Sequence, residues 1–264
     1  MSRLAVAAAV AAAGLALAGC APSAGDGGPS TPAAPDSDGL APATLTVFAA
    51  ASLTDAFEAL ADRFEERNPS VEVVLNFGGS AALAQQVVEG APADVFAAAA
   101  EPPMQALVDA ALVDGSTVFA TNTLELVVPA GNPAAVSGLD DLARADLRVA
   151  LCDPSVPCGG ASATLLDAEG VVATPDTLES DVRAVLTKVS LGEVDAALVY
   201  RTDVLAAGDA VEGIEVPAAA SVVNRYPVAA LATAPQLDAA EAFVALVTGA
   251  DGRAVLERLG FGAP

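Results

Sequence analysis

Serine and glycine residues stand at three points where a predicted strand gives way to a predicted helix. These junctions are Ala51-Ser52, Gly79-Ser80 and Cys158-Gly159. The start of a helix presents N–H groups without backbone partners and a partial positive charge, so it binds anions without cationic side chains. A Ser at any single junction of this kind is more often an ordinary helix cap. Three such junctions in one chain favour an anion-binding site made of neutral donors.

The composition excludes several other kinds of site. The 264 residues include 34 acidic and 11 basic residues and no His, with a formal net charge of −23. Nucleic-acid binding is not expected, because phosphate contacts need clustered Lys and Arg. Without His, the chain has no His-based zinc site, Ser-His-Asp triad or Cys-His dyad. A hydrolase with a pair of acidic residues is the alternative enzyme class, but no paired-acid motif stands out. We therefore expect no enzyme, no cofactor and no site for a free metal cation.

Residues 1–19 are typical of a bacterial lipoprotein signal peptide. Arg3 precedes an apolar run over residues 4–18, and Cys20 follows Leu-Ala-Gly directly. The alternatives are a transmembrane anchor and a plain secretory peptide, but the run is short for a bilayer span, and this Cys favours lipidation. Residues 20–43, rich in Ala, Pro, Ser and Gly, predict a flexible linker behind the lipidated Cys20. We expect an exported protein anchored to the outer face of the cell membrane.

Cys152 and Cys158 are the remaining cysteines, and they are six positions apart. Oxidising surroundings and an even count favour a local disulfide. Two free thiols are the alternative. A redox-active pair is less favoured, because the spacing is not Cys-x-x-Cys and no neighbouring cation would lower a thiol pKa.

Apolar patterning predicts alternating strands and helices, which indicates parallel β-α-β units. Ser52 and Ser80 are placed to cap the first two helices. The predicted strands cover residues 44–50, 71–76, 93–98, 124–129, 147–152, 194–199 and 227–232. The predicted helices cover residues 53–67, 81–89, 139–143, 181–191, 237–247 and 252–259, with a further helix from about residue 161.

Two motifs at these junctions resemble the molybdate-binding proteins of bacterial ABC importers. They are Phe48-Ala-Ala-Ala-Ser52-Leu-Thr-Asp-Ala-Phe57 and Asn76-Phe-Gly-Gly-Ser80-Ala-Ala-Leu83. The resemblance continues to the end of the chain through shorter motifs at residues 93–97, 156–159, 181–183, 197–200 and 226–229.

The resemblance implies a two-lobed α/β fold of the type II periplasmic-binding-protein class. Each lobe is then a mostly parallel sheet flanked by helices, with the ligand in the cleft between the lobes. The implied first lobe comprises residues 44–122 and 227–264, and the second comprises residues 123–226.

The resemblance also implies a set of residues that bind the oxyanion. Ser52 and Ser80 would each offer a hydroxyl and a backbone N–H, and Cys158 and Val182 would each offer a backbone N–H. Tyr200 would offer its hydroxyl from the opposite side of the cleft. Taken alone, Val182 has the periodicity of a core residue, and Tyr200 is equally consistent with an ordinary packed tyrosine.

The expected function is therefore the capture of molybdate, and of tungstate, by a monomeric lipoprotein that serves an ABC permease and its ATPase subunit. One alternative is a binding protein of the same fold for sulfate, thiosulfate or another small anion. Another is a structural or adhesive lipoprotein without a ligand.

Overall fold

The computed structural model describes residues 39–264, in which strands and helices alternate along the chain. The predicted signal peptide, Cys20 and most of the predicted linker lie outside the described residues. The first strand begins at Ala43, one residue before the predicted start of the folded part. Within residues 39–264, none of the helices is both long and apolar enough to cross a membrane.

The strands form one sheet in the order β2-β1-β3-β9-β4-β7-β5-β6, and β8 also pairs with β4. Their bounds are β1 Ala43–Ala50, β2 Val71–Gly78, β3 Val95–Ala97, β4 Thr117–Pro129, β5 Val149–Cys152, β6 Thr177–Glu179, β7 Ala196–Tyr200, β8 Val211–Ile214 and β9 Val223–Ala230. Strands β1, β2 and β3 pair in parallel, as do β5, β6 and β7. These two parallel groups are called here the first half and the second half of the sheet.

Strands β4 and β9 connect the two halves, and they pair antiparallel with each other. The chain leaves the first half along β4 and returns along β9, which explains this exception to the predicted parallel pairing. Residues 117–123 of β4 pair with β9, whereas residues 124–127 pair with β7. The predicted strands at 124–129 and 227–232 therefore recover only parts of β4 and β9.

The helices are α1 Thr54–Arg67, α2 Ser80–Val88, α3 Glu101–Asp109, α4 Pro157–Glu169, α5 Val182–Ser190, α6 Arg201–Ala207, α7 Leu237–Thr248 and α8 Ala250–Arg258. Helix α4 begins at Pro157 rather than near residue 161, because proline suits the first position of a helix. Helices α3 and α6 and strands β6 and β8 were not predicted. Their apolar patterns are short, and the first turn of α3 contains two prolines, which suit a helix start but add nothing to an apolar period.

Apolar side chains cover both faces of the first half of the sheet. On one face, Phe57 of α1 and Phe243 of α7 meet edge to face, with ring centroids 6.0 Å apart. On the other face, Phe48 of β1 packs with residues of α2 and α3 in a separate cluster. Successive residues of a strand point to opposite faces, so β1 serves both clusters. The resulting helix–sheet–helix layers are the α/β architecture predicted from the sequence.

Candidate functional site

The five residues predicted to bind an anion line one small cavity of about 20 Å³. Ser52 and Ser80 come from the first half of the fold, and Cys158, Val182 and Tyr200 come from the second half. All five are buried. The structure therefore brings together residues that span almost 150 positions of the sequence.

The hydroxyls of Ser52 and Ser80 do not cap helices, in contrast to the sequence prediction. Ser52 lies in a 3₁₀ turn over Ala51–Leu53, and its Oγ is 3.1 Å from the hydroxyl oxygen of Tyr226. Ser80 is the first residue of α2, and its Oγ accepts the backbone N–H of Ala99 at 3.0 Å. Both serines thus use their side chains in contacts that hold distant parts of the chain beside the cavity.

Cys158 and Val182 lie in the first turns of α4 and α5. The first N–H groups of a helix have no partner within that helix, so these backbone groups remain available to a ligand. The carboxylate of Asp181 caps α5 by accepting the N–H of Ala184 at 2.9 Å. This cap leaves the N–H of Val182 unused.

A disulfide joins Cys152 at the end of β5 to Cys158 in α4, with the Cα atoms 5.7 Å apart. The loop that it closes packs against the helix start, because an added Cβ at Gly159 would overlap the carbonyl of Asp153. The backbone N–H of Cys158 is therefore held by the disulfide on one side and by backbone packing on the other.

Tyr200 ends β7 and is almost completely buried, so it is both a packed side chain and part of the cavity wall. Its hydroxyl oxygen accepts the Nδ2–H of Asn224 at 3.0 Å. Burial raises the pKa of Tyr200 well above its ordinary value. The phenol consequently keeps its proton and remains a donor at any physiological pH.

No Lys or Arg is among the residues that line this cavity in the described part of the chain. Asp181 is the one ionisable side chain on the wall besides Tyr200, and one of its oxygens is engaged by the α5 cap. Nor do residues 39–264 contain a group of three or more His, Cys, Asp or Glu side chains placed to hold a metal ion. Most of the cavity wall is apolar, and its polar groups are mainly neutral hydroxyls and the backbone N–H groups of helix starts.

The two sides of the cavity touch each other around its rim. Gly79 lies so close to Ser180 that an added Cβ would overlap the Ser180 carbonyl oxygen. Arg183 of α5 forms an ion pair with Asp55 of α1. The structure is therefore a closed arrangement, in which residues of both halves contact across the cleft.

Asp203 of α6 lies behind this rim and was not identified from the sequence. Its carboxylate is fully buried, accepts the N–H of Tyr200 at 3.1 Å, and lies 3.1 Å from Nε of Arg183. Burial raises the pKa of Asp203 to about 7, against the opposing effect of Arg183. Asp203 lies three residues after Tyr200, at the start of a helix, which is a typical position for a capping residue. This position is the one feature of the sequence that could have identified it.

Three further residues behind the cavity were also missed as parts of the site: Asn122, Asn224 and Tyr226. Each has a side-chain hydrogen bond in the network that reaches Ser52 or Tyr200. Tyr226 belongs to one of the recognised motifs, but its role depends on a contact 174 positions away. The two asparagines lie in the parts of β4 and β9 that the apolar pattern did not predict.

The sequence of the chain matches both a protein family and known proteins. The family model described as "Bacterial extracellular solute-binding protein" matches residues 45–262. The molybdate-binding protein ModA of Mycobacterium tuberculosis is 44% identical over 222 residues, which cover 84% of this chain and 85% of that protein.

Two solved structures have a similar fold. The periplasmic molybdate-binding protein of Azotobacter vinelandii gives a TM-score of 0.72 at 22% identity, over 83% of this chain and 99% of that one. The sulfate-binding protein SubI of Mycobacterium tuberculosis gives a TM-score of 0.71 at 23% identity, over 83% and 86% of the two chains. Both are two-lobed periplasmic-type binding proteins, which confirms the predicted fold class.

Proposed function

We propose that this chain, which belongs to the bacterial extracellular solute-binding protein family, captures molybdate for an ABC importer. The observation that carries the proposal is the cavity in which Ser52, Ser80, Cys158, Val182 and Tyr200 converge. The 44% identity to a molybdate-binding relative supports the choice of ligand. Family membership also makes the protein extracytoplasmic and a binding protein, as expected from the sequence.

Neutral donors are well suited to a dianion that has to leave water. A bare dianion in a low-dielectric cleft would lose its hydration at great cost. The hydroxyls of Ser52, Ser80 and Tyr200 and the backbone N–H groups at the helix starts replace that water. Each hydrogen bond to the charged ligand contributes about 1.5–3 kcal/mol. No cationic side chain is needed to reach a useful affinity.

The same donor set selects among oxyanions. Hydrogen phosphate carries an O–H that needs an acceptor, and a site made of donors leaves it unsatisfied. Sulfate has the right charge but is smaller than molybdate, so a rigid cage sized for molybdate holds it weakly. Tungstate is nearly the size of molybdate, and we expect it to bind as well.

Ligand capture is coupled to closure of the cleft. We assign residues 44–122 and 227–264 to one lobe and residues 123–226 to the other, so that Ser52 and Ser80 face the remaining three ligand residues. An anion receives its full set of hydrogen bonds only when the lobes meet, so it stabilises the closed state. The contacts between Gly79 and Ser180 and between Asp55 and Arg183 belong to that state.

The N-terminal sequence supports a tethered form of this function. Lipidation of Cys20 would hold the monomeric protein on the membrane, and the linker over residues 20–43 would let it reach an ABC permease and its ATPase subunit. Labelling of cells with a fatty-acid analogue tests the anchor. We expect label on the native chain and none on Cys20→Ala.

Titration of the full chain with oxyanions tests the ligand assignment. The chain has no Trp and two Tyr residues, and both tyrosines are buried beside the cavity, so tyrosine fluorescence reports on the site. We expect saturable changes with molybdate and tungstate and much weaker ones with sulfate, thiosulfate and phosphate. Tighter binding of sulfate or thiosulfate would establish the alternative ligand class. No response to any anion would favour a structural lipoprotein.

A further inference from the structure

Two buried asparagines lie directly opposite each other where the chain crosses between the two halves of the fold. Asn122 of β4 and Asn224 of β9 are a register pair of the antiparallel ladder, and both are buried. Neither lines the cavity. Each nevertheless donates a hydrogen bond towards a hydroxyl of the site.

The orientation of each side-chain amide is fixed by a backbone group of known polarity. Oδ1 of Asn122 accepts the N–H of Thr123 at 3.0 Å, which leaves Nδ2 to face the hydroxyl of Tyr226 at 3.4 Å and that of Thr202 at 2.8 Å. Nδ2 of Asn224 donates to the carbonyl of Ala99 at 2.9 Å. Because a backbone N–H only donates and a carbonyl only accepts, both amides have one possible orientation.

These orientations determine which way the neighbouring hydroxyls point their hydrogens. The oxygen of Tyr226 receives a hydrogen from Asn122, which favours donation of the phenol hydrogen to Oγ of Ser52, 3.1 Å away. Ser52 then accepts behind the cavity and has its own hydrogen free. The oxygen of Tyr200 likewise receives a hydrogen from Asn224, so its own hydrogen points away from Asn224, towards the cavity or the neighbouring Tyr226 hydroxyl.

We propose that Asn122 and Asn224 are positioning residues that orient the hydroxyls of Ser52 and Tyr200 as hydrogen donors towards the bound oxyanion. This inference rests on the proposed function, because it concerns the same site. Ser80 follows the same rule, since its oxygen accepts the N–H of Ala99 and its hydrogen is free. Hydroxyls oriented in this way donate hydrogen bonds to the ligand and do not accept them. The site therefore favours a fully deprotonated oxyanion over one that carries an O–H group.

The test for Asn122 replaces its hydrogen-bond donor, the Nδ2 group, by an acceptor oxygen without changing the shape of the side chain. Asn122→Asp places a carboxylate oxygen opposite Tyr226, which would turn the phenol hydrogen away from Ser52 and draw the Ser52 hydrogen from the anion. We expect molybdate affinity, measured by calorimetry on the full chain, to fall about 10- to 100-fold, the value of one hydrogen bond to a charged group. Gln85→Glu, which adds the same charge at an exposed position of α2 outside the cavity, should leave the affinity within about 3-fold.

A double-mutant cycle separates this effect from the added charge and from any change in folding. In a Tyr226→Phe background there is no phenol hydrogen to turn, so Asn122→Asp should cost at least about 10-fold less than in the native background. Electrostatic repulsion or loosened packing would lower the affinity equally in both backgrounds, and that result would overturn the proposal.

A second cycle, free of any charge change, tests Asn224. Asn224→Leu should weaken molybdate binding in the native background and have little further effect in Tyr200→Phe, because the hydroxyl that it orients is then absent. If Asn122→Asp does not fold, this second cycle still tests whether a buried asparagine orients a hydroxyl of the site. Equal effects in both backgrounds would refute the assignment of Asn224. Failure of the unmodified chain to bind molybdate would instead refute the proposed function, so the two failures are distinguishable.

Discussion

Asp203 keeps its carboxylate inside the protein, between the backbone of Tyr200 and the guanidinium of Arg183. Arg183 in turn contacts Asp55 on the opposite side of the cleft. A buried carboxylate without ideal pairing is costly to ionise, and burial raises the pKa of Asp203 to about 7. The protonation state of Asp203 should therefore affect the stability of the fold.

The contribution of Asp203 to the free energy of unfolding should decrease as pH rises. The folded protein keeps a proton on Asp203 up to about pH 7, whereas the unfolded chain loses it near its ordinary pKa of 3.8. The contribution of Asp203 to stability consequently falls as pH rises between these values, by at most about 1.4 kcal/mol per pH unit.

Asp203→Asn removes this titration while keeping an acceptor for the Tyr200 N–H. We expect the variant to gain stability relative to the native protein from about pH 4 to about pH 7, with no further change above that range. Urea unfolding of both proteins at matched pH measures the difference. A pH-independent difference would show that Asp203 does not titrate in this way.

Sequence patterning predicted the elements that carry apolar residues but not the polar parts of the strands that connect the two halves. Residues 121–123, Thr-Asn-Thr, show no apolar alternation, although they lie within β4. Their burial depends on pairing with β9 about 100 residues later. Five residues that line the cavity were predicted through the motif resemblance. The partners of Ser52 and Ser80 were missed because those contacts are long-range.

The Gly-Gly turn before α2 sets how closely the two sides of the cleft approach. Gly79→Ala should leave the fold stable, because φ and ψ at Gly79 are ordinary for any residue, but the new Cβ would strike Ser180 across the cleft. We expect at least about a 10-fold loss of molybdate affinity through incomplete closure. Gly78→Ala is the matched control, since its Cβ would meet only the Leu83 side chain at an ordinary 3.5 Å. Equal affinities of the two variants would argue against a closed binding state.

The disulfide between β5 and α4 should stabilise the protein more than it changes ligand binding. Replacing both Cys152 and Cys158 by Ala keeps the backbone N–H at position 158 but removes the constraint on a short loop, at a cost of about 2 kcal/mol. We expect a lower melting temperature and molybdate affinity reduced by less than about 10-fold. Complete loss of binding would mean that the loop cannot form without the covalent bond.

At the scale of the whole molecule, a net charge of −23 opposes the approach of a dianion. This long-range field is screened beyond about 8–10 Å at physiological salt, so it affects encounter more than the energy of the bound state. The proposed site would bind the anion through neutral groups at short range. Acidity of the surface and affinity for an anion are therefore compatible.

Stopped-flow measurements at increasing salt test this separation of charge from affinity. The association rate constant for molybdate should rise with ionic strength, whereas the dissociation rate constant should change little. An association rate that falls with salt would indicate a positive local field at the entrance to the cleft.

Calorimetric titration of molybdate into the native chain and into Ser52→Ala/Ser80→Ala tests whether this cavity is the oxyanion site. Both serines line the cavity, so loss of their hydroxyls should reduce the affinity by at least about 100-fold. The melting temperature of the ligand-free protein should fall as well, because the Tyr226 hydroxyl and the Ala99 N–H each lose a buried partner. Ser190→Ala/Ser221→Ala, at two serines whose hydroxyls bond to nearby carbonyls outside the cavity, should bind like the native chain. Unchanged affinity in Ser52→Ala/Ser80→Ala would contradict the assignment of this cavity as the oxyanion site.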